Sequence, residues 1–241
     1  MNFNYKTDFK IDKIRQRYID RELDSKKFFY NEEGIIVSKE YSKREVGSKY
    51  YSKAWKSQRN PEKFHAYKRS MMDLCKKYYS SFNNILEVGG GFGTWAEAFI
   101  KEFEPERYTV YEFSSAVKKI KKRLKNSPID IIIHNTTFKD IPLKELEQYD
   151  CVIALEVLEH INWDREFLSK IKPGTWVFIS VPVPQASTEH VRAYLTPDSV
   201  AYRYRKMLKI YEIREVTKGK KSCRKWHHHY PLFWSVVAQR K

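Results

Sequence analysis

Ile85-Leu86-Glu87-Val88-Gly89-Gly90-Gly91-Phe92-Gly93-Thr94-Trp95 decides how the rest of the chain is read. An apolar strand runs into a glycine-crowded turn, and an amphipathic helix starts at Thr94. Glycine lets a ligand approach the backbone, and the start of a helix offers free N–H groups, so the turn implies a nucleotide-type ligand. The dinucleotide fingerprint G-x-G-x-x-G would need glycine where Thr94 stands if begun at Gly89, or where Phe92 stands if begun at Gly90. NAD is therefore disfavoured. A P-loop is excluded, because no Gly-Lys-Ser or Gly-Lys-Thr follows. What remains is Glu-x-Gly-x-Gly-x-Gly, with Glu87 two residues before the first glycine.

Outward from this turn, short apolar runs alternate with helical patterns. Ile85 to Val88, Tyr108 to Tyr111, Ile129 to Ile133, Cys151 to Leu155 and Trp176 to Val181 read as buried strands. Between them Thr94 to Phe103, Ser115 to Leu124 and Asp164 to Ile171 place apolar residues on one helical face. This alternation predicts an α/β fold with a mainly parallel sheet covered by helices on both faces. Thr196-Pro197-Asp198 starts a further helix, and strands at Ile210 to Val216 and Phe233 to Ala238 bring the sheet to seven. Nineteen residues past Gly93, the second strand ends in Tyr111-Glu112-Phe113. A carboxylate there accepts both ribose hydroxyl protons, and the neighbouring ring covers an adenine face. The expected ligand is an adenosine without a pyrophosphate.

The chain has 241 residues, a formal charge of +16 and 41% apolar residues, which suits one folded domain with an extension and excludes wholesale disorder. Residues 1–60 carry 15 Lys/Arg and 9 Asp/Glu without a strict period, and are expected to form an extension with short helices ahead of a domain over 61–241. Tyr50, Tyr51 and Trp55 cluster within it, so part of it is expected to pack on the domain. A further helix is expected from Pro61 onward, with Lys76 and Lys77 in its last turn. No apolar run is long enough to cross a membrane, and the amino terminus lacks a signal-peptide centre. Three widely spaced cysteines without a C-x-x-C pair fit a reducing, cytoplasmic setting.

The segment from Ile85 to Val181 resembles the class I S-adenosylmethionine-dependent methyltransferases through four successive strands. Glu87, Gly89, Gly91 and Gly93 match the family's first motif, which the resemblance places against the methionine and ribose parts of the cofactor. Glu112 matches the acid on the ribose hydroxyls, with Phe113 beside it. Thr136 and Thr137 fall where family members usually carry an acid near the adenine amine, a departure in residue type. Leu155-Glu156-Val157-Leu158-Glu159-His160-Ile161 is similar to the motif after the fourth strand, which adds Glu156 to the expected cofactor contacts. The resemblance implies S-adenosyl-L-methionine as cofactor and a methyl transfer that needs alignment of acceptor and methyl, exclusion of water and, for a protonated oxygen or nitrogen, a base.

Candidates for the acceptor side follow the strands' carboxyl ends, where open α/β sheets bind ligands. His190 is the expected base, with Glu159 and His160 beside it; Tyr51, Arg192 and His228 are expected to contact the acceptor, and no metal is assigned. Glu189 and the run His227 to His229 belong to the same groups. A second reading uses Glu156, Glu159, His160 and His190 as metal ligands, a constellation resembling the metal-dependent small-RNA 2′-O-methyltransferases. The aromatic segment expected after the matching histidine is here Val191-Arg192-Ala193-Tyr194, a poor match. A third reading is a cofactor-binding protein without transferase activity. Arg203 to Lys225 holds ten Lys/Arg against two Asp/Glu, half of the net charge. Placed beside the acceptor mouth, it argues for a small anionic acceptor, such as a sugar or nucleotide-sugar, ahead of a nucleic acid. The lysines of 118–125 read instead as a solvated helix face. Nothing in the pattern assigns an oligomeric state.

Overall fold

The structure is a computed structural model and describes residues 28–31, 35–43, 45–57, 66–78, 81–183, 190–217 and 231–241. Its elements in chain order are β1 (Phe28–Tyr30), β2 (Ile35–Ser38), α1 (Ser48–Ser57), α2 (Ala66–Tyr78), β3 (Asn84–Val88), α3 (Thr94–Phe103), β4 (Arg107–Tyr111), α4 (Val117–Leu124) and β5 (Asp130–His134). They continue with α5 (Leu143–Leu146), β6 (Cys151–Leu155), a 3-10 turn at Leu158–His160, α6 (Asp164–Lys170), β7 (Trp176–Pro182), β8 (Arg192–Tyr194), α7 (Pro197–Tyr204), β9 (Leu208–Thr217) and β10 (Pro231–Arg240).

A seven-stranded sheet in the order β5-β4-β3-β6-β7-β10-β9 forms the centre. The first five strands pair in parallel, and β10 runs antiparallel to both β7 and β9. Alternate residues serve opposite faces, as the two-residue period of a strand requires. Leu86, Val88, Val152 and Ala154 pack into one buried layer, and Ile85, Cys151 and Ile153 into the other with Met71, Trp95 and Phe99. The strands at the centre of the sheet are thus apolar on both faces, which is why they read as continuous hydrophobic runs. Pro197 opens α7 behind a capping box, in which Ser199 N donates to Thr196 Oγ1 at 3.1 Å and Thr196 N donates to Ser199 Oγ at 3.3 Å.

The amino-terminal segment departs from its expected short helices. α1 is a helix, but Phe28–Tyr30 and Ile35–Ser38 are strands of a second sheet, ordered β1-β2-β8. Three successive β-branched residues, Ile35-Ile36-Val37, prefer extended backbone, and β8 supplies the partner from more than 150 residues downstream. Ile35 is fully buried in the layer that holds Leu86 and Val88, so this segment shares the core of the main sheet. The residues around Pro61, where the next helix was expected to start, lie outside those described; α2 is described from Ala66.

Candidate active site

The turn after β3 is built as the glycines require. Gly89, Gly91 and Gly93 take φ of 71°, 55° and 72°, in the left-handed region that side chains avoid. Gly89 N donates to Tyr111 O at 2.8 Å, tying the turn to the end of β4. Glu112 follows directly and is 4% exposed. Its carboxylate accepts from Gly91 N at 2.9 Å and from Ser114 N at 3.0 Å, which fixes both oxygens at the mouth of the turn. Burial raises its pKa, and the backbone donors oppose that shift.

A cavity opens at the carboxyl ends of the parallel strands. Gly89, Glu112, Phe113, Thr136, Thr137, Glu156, His160 and Tyr51 all line it, so eight of the residues singled out from the sequence come together. Glu156 stands at φ 58°, a strained conformation for a residue with a side chain, and accepts from Ser180 Oγ at 2.8 Å. Burial pushes its carboxyl well above the ordinary range. Among the described residues the lining includes the carboxyl groups of Glu45, Glu112 and Glu156 and neither lysine nor arginine.

Other expectations are corrected. Glu87 lies beneath the turn, not on the cavity wall; it is buried, accepts from Tyr108 OH at 3.1 Å, and is pushed up by burial against the attraction of Lys68. Gly93 caps α3, where an added Cβ would touch Ile120 at 3.4 Å, and also lies away from the cavity. Arg192 was expected on the acceptor; it is 5% exposed and turned inward, donating from Nη1 to Leu158 O and Ile161 O at 2.7 Å each, 3.2 Å from Asp164. Arg203 likewise grips Asp164, from Nε and Nη2 at 2.7 Å each, so the start of the basic stretch 203–225 serves the core, not the mouth. His228, its neighbours His227 and His229, Glu189 and residues 218–225 lie outside the described residues, as does the side chain of Trp55. The lysines of α4 are exposed, as a solvated face should be.

Glu159, His160 and His190 lie together, and of the three His160 lines the cavity. The His160 and His190 rings sit edge to face at 4.7 Å, and His160 Nε2 is 3.6 Å from Glu159 Oε1. Burial, with His160 beside it, pushes the His190 imidazole down to about 3, which makes it a weak proton acceptor near neutral pH and counts against its expected role as base.

Tyr51, expected from the sequence to contact the acceptor, is joined on the wall by residues that the sequence reading did not single out. Tyr51 on α1 packs edge-on against Phe113 at 5.5 Å and His160 at 5.7 Å, roofing the cavity. Glu45, just ahead of α1, latches this roof: it accepts from Asn162 N at 2.5 Å and from Trp163 Nε1 at 3.2 Å. Ser115 N also donates to Ser52 Oγ at 3.0 Å. Glu45 and Val46 carried no pattern signal, whereas Trp163, three residues past His160, was legible as an aromatic beside the motif.

A family profile described as a methyltransferase domain matches residues 41–219, beginning inside the segment set apart as an extension. The chain belongs to the class I S-adenosylmethionine-dependent methyltransferase family. No curated protein matches the methyltransferase in sequence. Among solved structures it is similar in fold to the N-methyltransferase NodS of Bradyrhizobium japonicum in complex with S-adenosyl-L-homocysteine, at 12% identity and TM-score 0.61, covering 79% of this chain and 98% of that one. The glycopeptide N-methyltransferase MtfA in complex with S-adenosyl-L-methionine gives 14% identity, TM-score 0.53, and 72% and 94% coverage. The cyclase SpnF gives 14%, 0.56, and 72% and 80%.

The site fits the family's cofactor. Glu112 presents a carboxyl group oriented by two backbone N–H groups at the mouth of the turn, and Phe113, Thr137 and Glu156 line the same cavity, a set that could hold the adenosine part of the cofactor. An alanine Cβ at Gly89 would stand 2.4 Å from Val157 Cγ2, a stiff β-branched side chain, at a φ that costs about 1–2 kcal/mol. Gly89→Ala is expected to weaken cofactor binding at least tenfold, read by calorimetry; unchanged affinity would show that the turn does not border the ligand.

Proposed function

We propose that the enzyme transfers the methyl group of S-adenosyl-L-methionine to an oxygen or nitrogen of a small, anionic metabolite such as a sugar or nucleotide-sugar. The observation that carries this reading is the roofed cavity: Tyr51 closes over Phe113 and His160, and Glu45 latches the segment to the loop after the 3-10 turn, enclosing room for a small acceptor. The cofactor supplies an electrophilic methyl on a positively charged sulfur. Glu112 holds the ribose, Glu156 lines the wall with its carboxyl group held by Ser180 Oγ, and Tyr51 keeps water out. The acceptor enters at the His160 end, where the Glu159, His160 and His190 group handles its proton. The segment through residue 60 acts as the cover of the domain that follows. Buried free thiols at Cys75 and Cys151 support a reducing, cytoplasmic setting, and among the described residues no helix is long and apolar enough to cross a membrane.

The test is label transfer from methyl-tritiated cofactor to a panel of nucleotide-sugars and sugar phosphates, with short RNA as a competing acceptor class. Label on a panel compound, reduced at least tenfold in Tyr51→Ala, is the expected result. Label on RNA alone overturns the small-acceptor reading.

A further inference from the structure

We propose that Lys68 is a positioning residue for the cofactor: from α2 it braces the glycine turn at both ends, through Thr94 at the exit and Glu87 at the entry. This goes beyond the proposed function, because it concerns how the turn is held and asks nothing of the acceptor. Lys68 Nζ donates to Thr94 Oγ1 at 2.6 Å, from 26 residues earlier in the chain. Thr94 is the first residue of α3, follows Gly93 directly and is buried. Glu87 precedes Gly89 by two residues and is 3% exposed. Its carboxyl lies beneath the turn, since a Cβ added to Gly90 would stand 3.8 Å from Glu87 Oε2.

The helix that carries Lys68 is a fixed support. Met71, Leu74 and Cys75 of α2 pack in the layer that holds Ile85 of β3 and Trp95 and Phe99 of α3, so α2 rests on the strand before the turn and on the helix after it. Burial weakens the charge of Lys68 and of Glu87, and each sustains the other. Two further groups face Glu87, both from β4 and its end: Tyr108 OH donates to Oε2 at 3.1 Å, and Glu112 repels. Tyr108 is bordered in turn by Cys75 and Cys151, whose thiols burial keeps neutral. An apolar pair of similar shape is often as stable as a shielded ion pair or more so, so stability alone gives little reason for the charges to sit here.

What the brace steadies is the part of the turn that meets the ligand. Gly89 lines the cavity, and Gly91 N donates to Glu112 at 2.9 Å. A turn released at Thr94 and Glu87 would shift a glycine of the cavity wall and the acid beside it together. Misplacement of that kind is how a residue without ligand contact governs affinity.

The test is calorimetric titration of the full chain with S-adenosyl-L-homocysteine and with 5′-methylthioadenosine, which lacks the amino-acid part. Lys68→Met keeps most of the apolar stem and removes the charge; it is expected to weaken both ligands at least about tenfold, with Lys68→Arg recovering part of the loss. Lys76→Met on the same helix, whose ammonium pairs with Glu102 at the surface, should bind as the parent does. The second readout is the pH profile for 5′-methylthioadenosine, which has no amino group to titrate. Affinity falls as the pH drops and Glu87 takes up a proton; without the ammonium Glu87 does so at higher pH, so the fall should begin earlier in Lys68→Met. In a Glu87→Gln background, Lys68→Met should leave the profile where it was. If Lys68→Met does not fold, Thr94→Val removes only the hydroxyl of the contact and should still weaken both ligands by about threefold or more. A loss confined to S-adenosyl-L-homocysteine would mean that Lys68 meets the amino-acid part directly, which overturns the brace. Affinities and a pH profile unchanged from the parent would overturn it too, leaving a lysine that serves stability alone.

Discussion

Replacing Glu112 by alanine is expected to lower affinity for S-adenosyl-L-methionine by two orders of magnitude or more and to leave the fold in place. Hydrogen bonds to a charged acceptor contribute about 1.5–3 kcal/mol each, and in the proposed binding mode the carboxylate would accept from two ribose hydroxyls. Losing both removes about 3 kcal/mol or more, which is roughly a hundredfold in affinity. The change also strips the acceptor from Gly91 N and Ser114 N, so a turn held at φ 55° at Gly91 loses its internal brace. Stability should suffer less, because burial already works against the charged carboxylate and its removal relieves that penalty. Glu112→Gln separates the two effects: it keeps one carbonyl acceptor and offers an amide donor where a hydroxyl must donate, so an intermediate loss is expected. Calorimetric titration reads the affinities and a thermal melt the stability. An alanine variant binding within threefold of the parent would remove Glu112 from the ribose.

The central sheet was legible because each of its strands is a local event. Ile85 to Val88 and Cys151 to Leu155 are largely apolar on both faces, and the turn after the first of them concentrates glycine where backbone must twist and stay bare. Glu112 followed from the same logic, since a carboxylate at the end of the neighbouring strand falls beside that turn. What escaped depends on partners distant in sequence. The pairing of Ile35–Ser38 with Arg192–Tyr194 joins the two ends of the fold, and no local period announces it. Arg192 reads as a free cation because its partners are two carbonyls and one carboxylate some thirty residues earlier, each satisfied only once the 3-10 turn has formed. Within the described part of the basic stretch, Arg203 and Arg214 are paired with Asp164 and Glu212, partners that formal charge along the chain does not show. Thr136 and Thr137, in contrast, line the cavity although they lack the acid usual there, and Glu45 brings a carboxylate to the same cavity from the amino-terminal side.

Asp164→Ala is expected to cost about 3–5 kcal/mol of stability, the range for removing one partner of a buried ion pair. Asp164 is 0% exposed and accepts from Arg203 Nε and Nη2 and from Tyr204 OH at 3.0 Å, with Arg192 Nη1 at 3.2 Å. Its loss leaves two guanidinium groups with little water and no counter-charge from this residue, and it unseats α7 from α6. For a chain of this size that corresponds to a fall in melting temperature of roughly 6–20 °C. The effect should reach the active site, because Arg192 clamps the turn that carries Glu159 and His160 and is itself steadied by Asp164. At a temperature where the variant is still folded, turnover should fall while cofactor affinity, which depends on Glu112 at the other end of the cavity, changes little. Asp164→Asn keeps the shape and one acceptor, so a smaller loss of both properties is expected. A melting temperature within 2–3 °C of the parent for the alanine variant would mean that the two arginines find other partners, and the clamp would then have to be independent of Asp164.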